Sequence, residues 1–86
     1  MAATFNLGAV VATPGVLDLG VDLADLLARH SRGDWGDLGA SDLKANDYAL
    51  KHDERLFSAY ATPAGRLWVI TEADRSSTCL LLPSEY

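Results

Sequence analysis

Residues 56–82 read LFSAYATPAGRLWVITEADRSSTCLLL, and the fold is decided there. Leu56–Ala61 and Arg66–Thr71 are short runs rich in aromatic, β-branched and other apolar side chains, separated by Thr62-Pro63-Ala64-Gly65. Proline presets φ for a turn and glycine accepts a left-handed backbone, so the two runs predict a β-hairpin. Glu72–Ser77 is polar, and Thr78–Leu82 is a third apolar run stopped by Pro83. The C-terminal half is therefore expected to form a three-stranded antiparallel meander.

Upstream of the hairpin the apolar period lengthens. Leu23, Leu26, Leu27 and His30 fall at i, i+3, i+4 and i+7, one face of a helix. Asp22 is placed to cap its start, Arg29, His30 and Arg32 suit its negative pole, and Gly33 can close it. A second helix over 42–52 is expected after a cap at Ser41, with Leu43, Ala49 and Leu50 inward and Tyr48 assisting. The two helices are joined by a glycine-rich loop, GDWGDLG, at 33–39. At the start of the chain, Phe5–Thr13 reads as a strand ended by Pro14-Gly15, and Leu17–Gly20 as a connector. The order is β-α-α-β-β-β. It predicts an α+β fold with two helices packed on one face of a small antiparallel sheet, the N-terminal strand adding to an edge of the meander.

At 86 residues the chain makes one domain, 1–86. A hydrophobic content of 49% with 22% charged residues is that of a globular protein rather than a disordered one. No apolar run approaches the roughly 18 residues that span a bilayer. Met1–Leu7 has neither the positive nor the long apolar region of a secretory leader, so a cytoplasmic protein is expected. One cysteine, Cys79, excludes an internal disulfide and a cysteine-rich zinc site.

The net charge of −5 is unevenly placed. Residues 1–17 carry no charged side chain, and 55–86 balance three arginines against three acids. The excess lies in 18–54, where nine acids face four bases. Clustered cations are what bind phosphate, so direct nucleic-acid binding is not expected. A solvated helical surface explains the acids, and so does a face that meets a basic protein.

Five features could carry chemistry. The loop 33–39 lacks the Lys-Ser/Thr of a phosphate-binding loop and the terminal glutamate of a calcium loop. Its Trp35 reads either as a core plug between helices or as an exposed anchor for a partner. TEADRSST at 71–78 concentrates Glu72, Asp74, Arg75 and hydroxyls, suited to acid–base chemistry or simply to satisfying turn amides. His30 and His52 are 22 residues apart without ligand spacing, so no metal and no other cofactor is expected. Cys79 lies in an apolar strand and reads as a buried small hydrophobe. Finally, a small open sheet leaves edge amides free, and the strand at Leu80–Leu82 is apolar on both faces, which invites a homodimer or an added strand.

Several stretches resemble a family of short bacterial, plasmid and phage proteins described as plasmid-related and sometimes as a type I restriction subunit. They are Arg29-His30 with Gly33–Asp37, Ser58-Ala59-Tyr60, Trp68–Thr78 and Leu82–Tyr86. The resemblance covers nearly the whole chain. It implies an association with mobile elements and assigns no activity to any residue.

The favoured expectation is a small acidic protein-binding protein, more simply non-enzymatic, with no catalytic residues. Its partner would be a basic nucleic-acid-binding protein of a host defence system, inhibited in the anti-CRISPR or anti-restriction manner. Asp34, Asp37, Asp42, Asp47, Asp53 and Glu54 would form the acidic face and Trp35 its apolar anchor. The alternatives are a small enzyme or ligand-binding domain built on Glu72, Asp74 and Arg75, and a dimeric accessory protein.

Overall fold

The computed structural model describes residues 4–86. A four-stranded sheet carries the fold, with strands β1 (Ala9–Ala12), β2 (Leu56–Thr62), β3 (Gly65–Thr71) and β4 (Ser77–Leu81) in the order β1-β4-β3-β2. Helices α1 (Pro14–Asp18), α2 (Leu23–Ser31) and α3 (Ala40–Lys51) precede the meander, and a 3₁₀ turn at Pro83–Glu85 follows it. The architecture is α+β, as the sequence predicts.

The hairpin forms as read. β2 and β3 pair from Leu56↔Thr71 to Thr62↔Gly65, and β4 pairs antiparallel with β3 from Thr71↔Thr78 to Trp68↔Leu81. The Thr62 hydroxyl oxygen accepts from the amides of Ala64 and Gly65, which fixes the tight connection.

The N-terminal strand differs from expectation in two ways. It is shorter, and it runs parallel to β4 (Ala9↔Ser77 to Ala12↔Leu80), so the sheet is mixed rather than wholly antiparallel. Phe5 is drawn away from the sheet line to pack edge-on to His30 at 5.3 Å and stacked on Trp35 at 6.2 Å. Gly8 then turns the chain with φ +67°, and a β-carbon there would collide with the Ser76 backbone. The strand can start only after that glycine.

Pro14-Gly15 is not a reverse turn but the beginning of α1, which runs on into Leu17 and Asp18, the first half of the segment read as connector. Thr13 caps it, accepting from the Val16 amide, and Pro14 occupies the first turn, where its missing N–H is harmless. α2 follows its prediction: Asp22 accepts from the Asp25 amide, and Gly33 (φ +86°) donates to the His30 carbonyl just past the last turn. α3 begins two residues earlier than expected. Gly39, not Ser41, is its N-cap, and no side chain bonds there. Tyr48 is 55% exposed and stacks on His52, so Asn46 rather than Tyr48 completes the inner face.

Alternation along the strands sends Leu56, Ser58, Tyr60, Leu67, Val69, Thr71, Thr78 and Leu80 to the helical side of the sheet. Val16 and Leu26 pack with Tyr60, Leu67, Val69 and Leu80 in one cluster; Trp35, Ala49 and Leu56 make a second. On the opposite face Leu81 is only 6% exposed beside its cross-strand partner Trp68, and Tyr86 returns edge-on to Trp68 at 5.7 Å. The second apolar face of β4 is thus covered in part by the chain's own C-terminus. Among the described residues, no helix is long and apolar enough to cross a membrane.

Candidate functional site

The glycine-rich loop seals one edge of the sheet. β2 is an edge strand, and an edge strand presents a row of unpaired amides and carbonyls. Here every outward group from Phe57 to the Ala61 amide has a partner. Asn46, 4% exposed, accepts from the Phe57 amide at 3.1 Å and donates to the Phe57 carbonyl, so one side chain imitates a neighbouring strand. The Ala59 amide donates to the Trp35 carbonyl (3.1 Å), and the Asp37 amide donates to the Ala59 carbonyl (2.7 Å). The Asp37 carboxylate then accepts from the Ala61 amide at 3.2 Å. Gly36 stands where the loop touches β2, with φ +75°; a β-carbon there would overlap the Ala59 carbonyl and the Tyr60 ring.

This geometry assigns the expected contact residues one by one. Trp35 is 4% exposed, held among Phe5, His30 and Leu56, with its indole N–H 3.4 Å from Asp47 Oδ1. It is the core plug, and the exposed-anchor expectation is corrected by its burial. Asp34 is paired with Arg29 at 2.7 Å and accepts from the Gly36 amide; the guanidinium holds its carboxyl below the usual range. Asp34, Asp37 and Asp47 therefore serve the loop. Asp42, Asp53 and Glu54 are exposed, and none of their carboxylates bonds to another described group. Asp53 holds φ +53°, a conformation aspartate tolerates.

Removing the Asn46 clamp tests the edge. Asn46→Ala is expected to lower stability by about 2 kcal/mol, since it strips the Phe57 amide and carbonyl of partners near a buried position. Asn46→Asp should be at least as damaging, because an oxygen would replace the donor facing the Phe57 carbonyl. Chemical denaturation of the two variants measures both.

The turn at 72–77 is likewise built into the scaffold. Glu72 pairs with Arg55 at 3.3 Å, and Asp74 accepts from the Ser76 amide at 3.0 Å. Arg75, at φ +60°, directs its guanidinium inward to the carbonyls of Ala49, Glu54, Glu72 and Ala73 and over the Phe5 ring at 5.7 Å. It ties the C-terminal end of α3 to the β3–β4 connection, as cations suit that pole of a helix. All three residues of the alternative site are engaged in structural bonds.

A buried polar chain escapes the sequence reading. His30, Ser58, Thr71 and Thr78 are all 0% exposed. His30 Nδ1 is 2.5 Å from Ser58 Oγ and Nε2 is 2.9 Å from Thr71 Oγ1. Thr71 Oγ1 is 2.7 Å from Thr78 Oγ1, and Thr78 donates to the Leu7 carbonyl. Each hydroxyl has one hydrogen, so the direction of the chain is determined. Thr78 uses its hydrogen on Leu7, Thr71 donates to Thr78, and His30 must donate to Thr71 from Nε2. Nδ1 is then the acceptor for the Ser58 hydroxyl. Burial, aided by the charge of Arg75, lowers the imidazole from 6.5 to about 4, so it is neutral near pH 7. A serine–histidine pair could activate a nucleophile, but here both groups are closed to solvent and the second nitrogen meets a threonine rather than a carboxylate. The arrangement satisfies polar atoms in the core. Its sequence signal was three hydroxyl residues at inward strand positions opposite a histidine on an apolar stripe.

Cys79 is half-buried, and burial raises its thiol. Among the described residues, no three His, Cys, Asp or Glu side chains converge as a metal site. A concavity of about 340 Å³ lies between α3 and the β2 edge. Leu38, Ala45, Ala49 and Phe57 give it an apolar lining, with Asp42, Glu54, Asn46 and Arg55 around it. A smaller one, about 230 Å³, has Asp22, Asp25 and Arg29 beside Val21, Leu26 and the hairpin turn. No family model matches the chain, no curated protein matches it in sequence, and no solved structure matches it.

Proposed function

We propose that this chain is a non-catalytic protein-binding protein that docks a basic partner on the groove between α3 and the β2 edge. The supporting observation is the composition of that groove: an apolar lining with the carboxylates of Asp42 and Glu54 beside it. Asp53 lies next to Glu54 in the chain and is exposed. Arg55 also lines the groove but is paired with Glu72, so an apolar slot with two carboxylates that make no ion pair among the described residues suits a side chain with an apolar stem and a cationic head, the character of lysine and arginine. The acids speed encounter through long-range attraction, and contact in the slot supplies selectivity. The partner class in this proposal is a basic nucleic-acid-binding protein, a host defence factor inhibited in the anti-CRISPR or anti-restriction manner.

The test is a charge-altered chain, Asp42→Lys, Asp53→Asn, Glu54→Lys. Asparagine at 53 keeps a residue that tolerates positive φ, and Asp34, Asp37 and Asp47 are left alone because the fold uses them. Immobilised wild-type and altered chains are compared in captures from host lysate, quantified by mass spectrometry. Basic nucleic-acid-binding proteins should be enriched on the wild-type chain and reduced at least about tenfold on the altered one, with capture weakening as salt rises. Equal capture by both chains would overturn the proposal.

A further inference from the structure

The two edges of the sheet are treated differently. The β2 edge is sealed by Asn46 and the 34–37 segment, whereas among the described residues nothing pairs with the outer side of β1. The Ala9 and Thr13 amides donate to the Ser76 and Leu80 carbonyls of β4. The alternation of a strand therefore turns the amides and carbonyls of Val10 and Ala12 outward. β1 is short, at four residues, but AVVA contains neither a charged side chain nor a proline, the substitutions that most directly protect an open edge. Its side chains are unusually bare: Val10 is 44% and Val11 53% exposed, and with Leu17 at 60% they are three of the five large apolar side chains exposed among the described residues.

We infer that β1 pairs antiparallel with β1 of a second copy across a two-fold axis at Val11, joining two four-stranded sheets into one of eight strands. Charge selects the occupant. Residues 1–17 are uncharged in a chain of net charge −5, so a second copy brings an equally uncharged strand and no ion loses its water. A basic partner attracted by the acids elsewhere finds no counter-charge at this edge. The register is set by the same residues. With the axis at Val11, Val10 and Ala12 of one copy face Ala12 and Val10 of the other, and four outward amides meet four outward carbonyls. Val11 stands opposite Val11 as a close non-hydrogen-bonded pair. Across the sheet Val11 is in line with Cys79, Ile70 and Phe57, so pairing extends an apolar row through both copies. The contact is isologous and closed, and it leaves no open edge.

Sedimentation velocity in reducing buffer, over a dilution series, tests this with the wild-type chain, Val11→Lys, Val11→Glu and an equimolar mixture of the two variants. The wild type should show a concentration-dependent dimer. Each variant alone sets like charges opposite each other and should dissociate at a concentration at least about tenfold higher, while the mixture should recover the dimer as a heterodimer. Val10→Pro, which deletes an outward amide not used by β4, should also be monomeric; circular dichroism verifies that each variant keeps the sheet. A wild type that stays monomeric at every concentration overturns the inference, and so does a dimer that persists in both lysine and glutamate variants or a mixture that fails to recover.

Discussion

Gly36→Ala is expected to lower stability by about 3–5 kcal/mol or to prevent folding outright. The residue combines two demands that are separate at most glycines. Its φ of +75° costs any β-branched or bulky residue heavily and alanine about 1–2 kcal/mol. Its α-carbon also faces the β2 backbone so closely that a methyl group overlaps the Ala59 carbonyl. Relief requires the loop to move away from β2, which breaks the bonds from Ala59 to Trp35 and from Asp37 to Ala59. Trp35 would then be pulled from the cluster it forms with Ala49 and Leu56. Gly20 makes a suitable control: it also has positive φ (+66°), but nothing lies within 4 Å of a β-carbon there. Gly20→Ala should lose only the conformational part, about 1–2 kcal/mol. Equal losses at the two positions, measured by urea denaturation, would show that the loop does not bear on β2 as described.

Acid should destabilise the protein in a window set by His30. The folded chain holds the imidazole neutral until about pH 4, whereas an unfolded chain protonates it near 6.5. Between these values the unfolded state binds more protons, so stability falls as pH falls. The contribution is complete above about pH 6.5, declines through the window, and is lost below about pH 4. Its full size is about 3 kcal/mol, taking about 1.4 kcal/mol for each tenfold step. Asp34 and Glu85 have carboxyls lowered from 3.8 and 4.5 through the bonds from Arg29 and Thr13, so their own losses begin at the acid end of this window and continue below it. Phe5 and Trp35 enclose the ring, Arg75 supplies the nearby cation, and Ser58 and Thr71 occupy its nitrogens. His30→Gln should be less stable near neutral pH and nearly flat between pH 6.5 and 4. A wild-type chain whose stability does not change across this window contradicts a neutral, buried His30. Nitrogen chemical shifts of the imidazole should in addition report the proton on Nε2.

The meander was legible because its signals are local. Period-2 patterning and the Thr62–Gly65 turn needed no distant partner, and the same holds for the Asp22 cap and the Leu23–His30 stripe of α2. What sequence could not supply depended on pairing across the chain. Phe5–Thr13 has uniform strand character, yet only Ala9–Ala12 enters the sheet, because Phe5 finds a better apolar environment against His30 and Trp35. Pro14-Gly15 reads locally as a turn and becomes a helix start once Thr13 is positioned to cap it. The segment 33–37 looks like a charged loop until its partners are known: Asp34 turns back to Arg29, while Trp35 and Asp37 bond a strand edge about 22–24 residues downstream. For the same reason the sequence overstates the acidic surface. Asp34, Asp37 and Asp47 serve the loop and Trp35, so of the six acids expected to form one face only Asp42, Asp53 and Glu54 make no bond to a described group.

The sheet is asymmetric: its β2 edge is closed by the 34–37 segment and Asn46, while among the described residues β1 stays open. Residue-resolved amide hydrogen exchange measures this directly on the unmodified chain. The amides of Phe57 and Ala59 should exchange slowly at every concentration, with Ala61 next, whereas those of Val10 and Ala12 should exchange quickly on dilution and gain protection as concentration rises. Phe57 and Ala59 amides that exchange as fast as those of Val10 and Ala12 in dilute protein would contradict it.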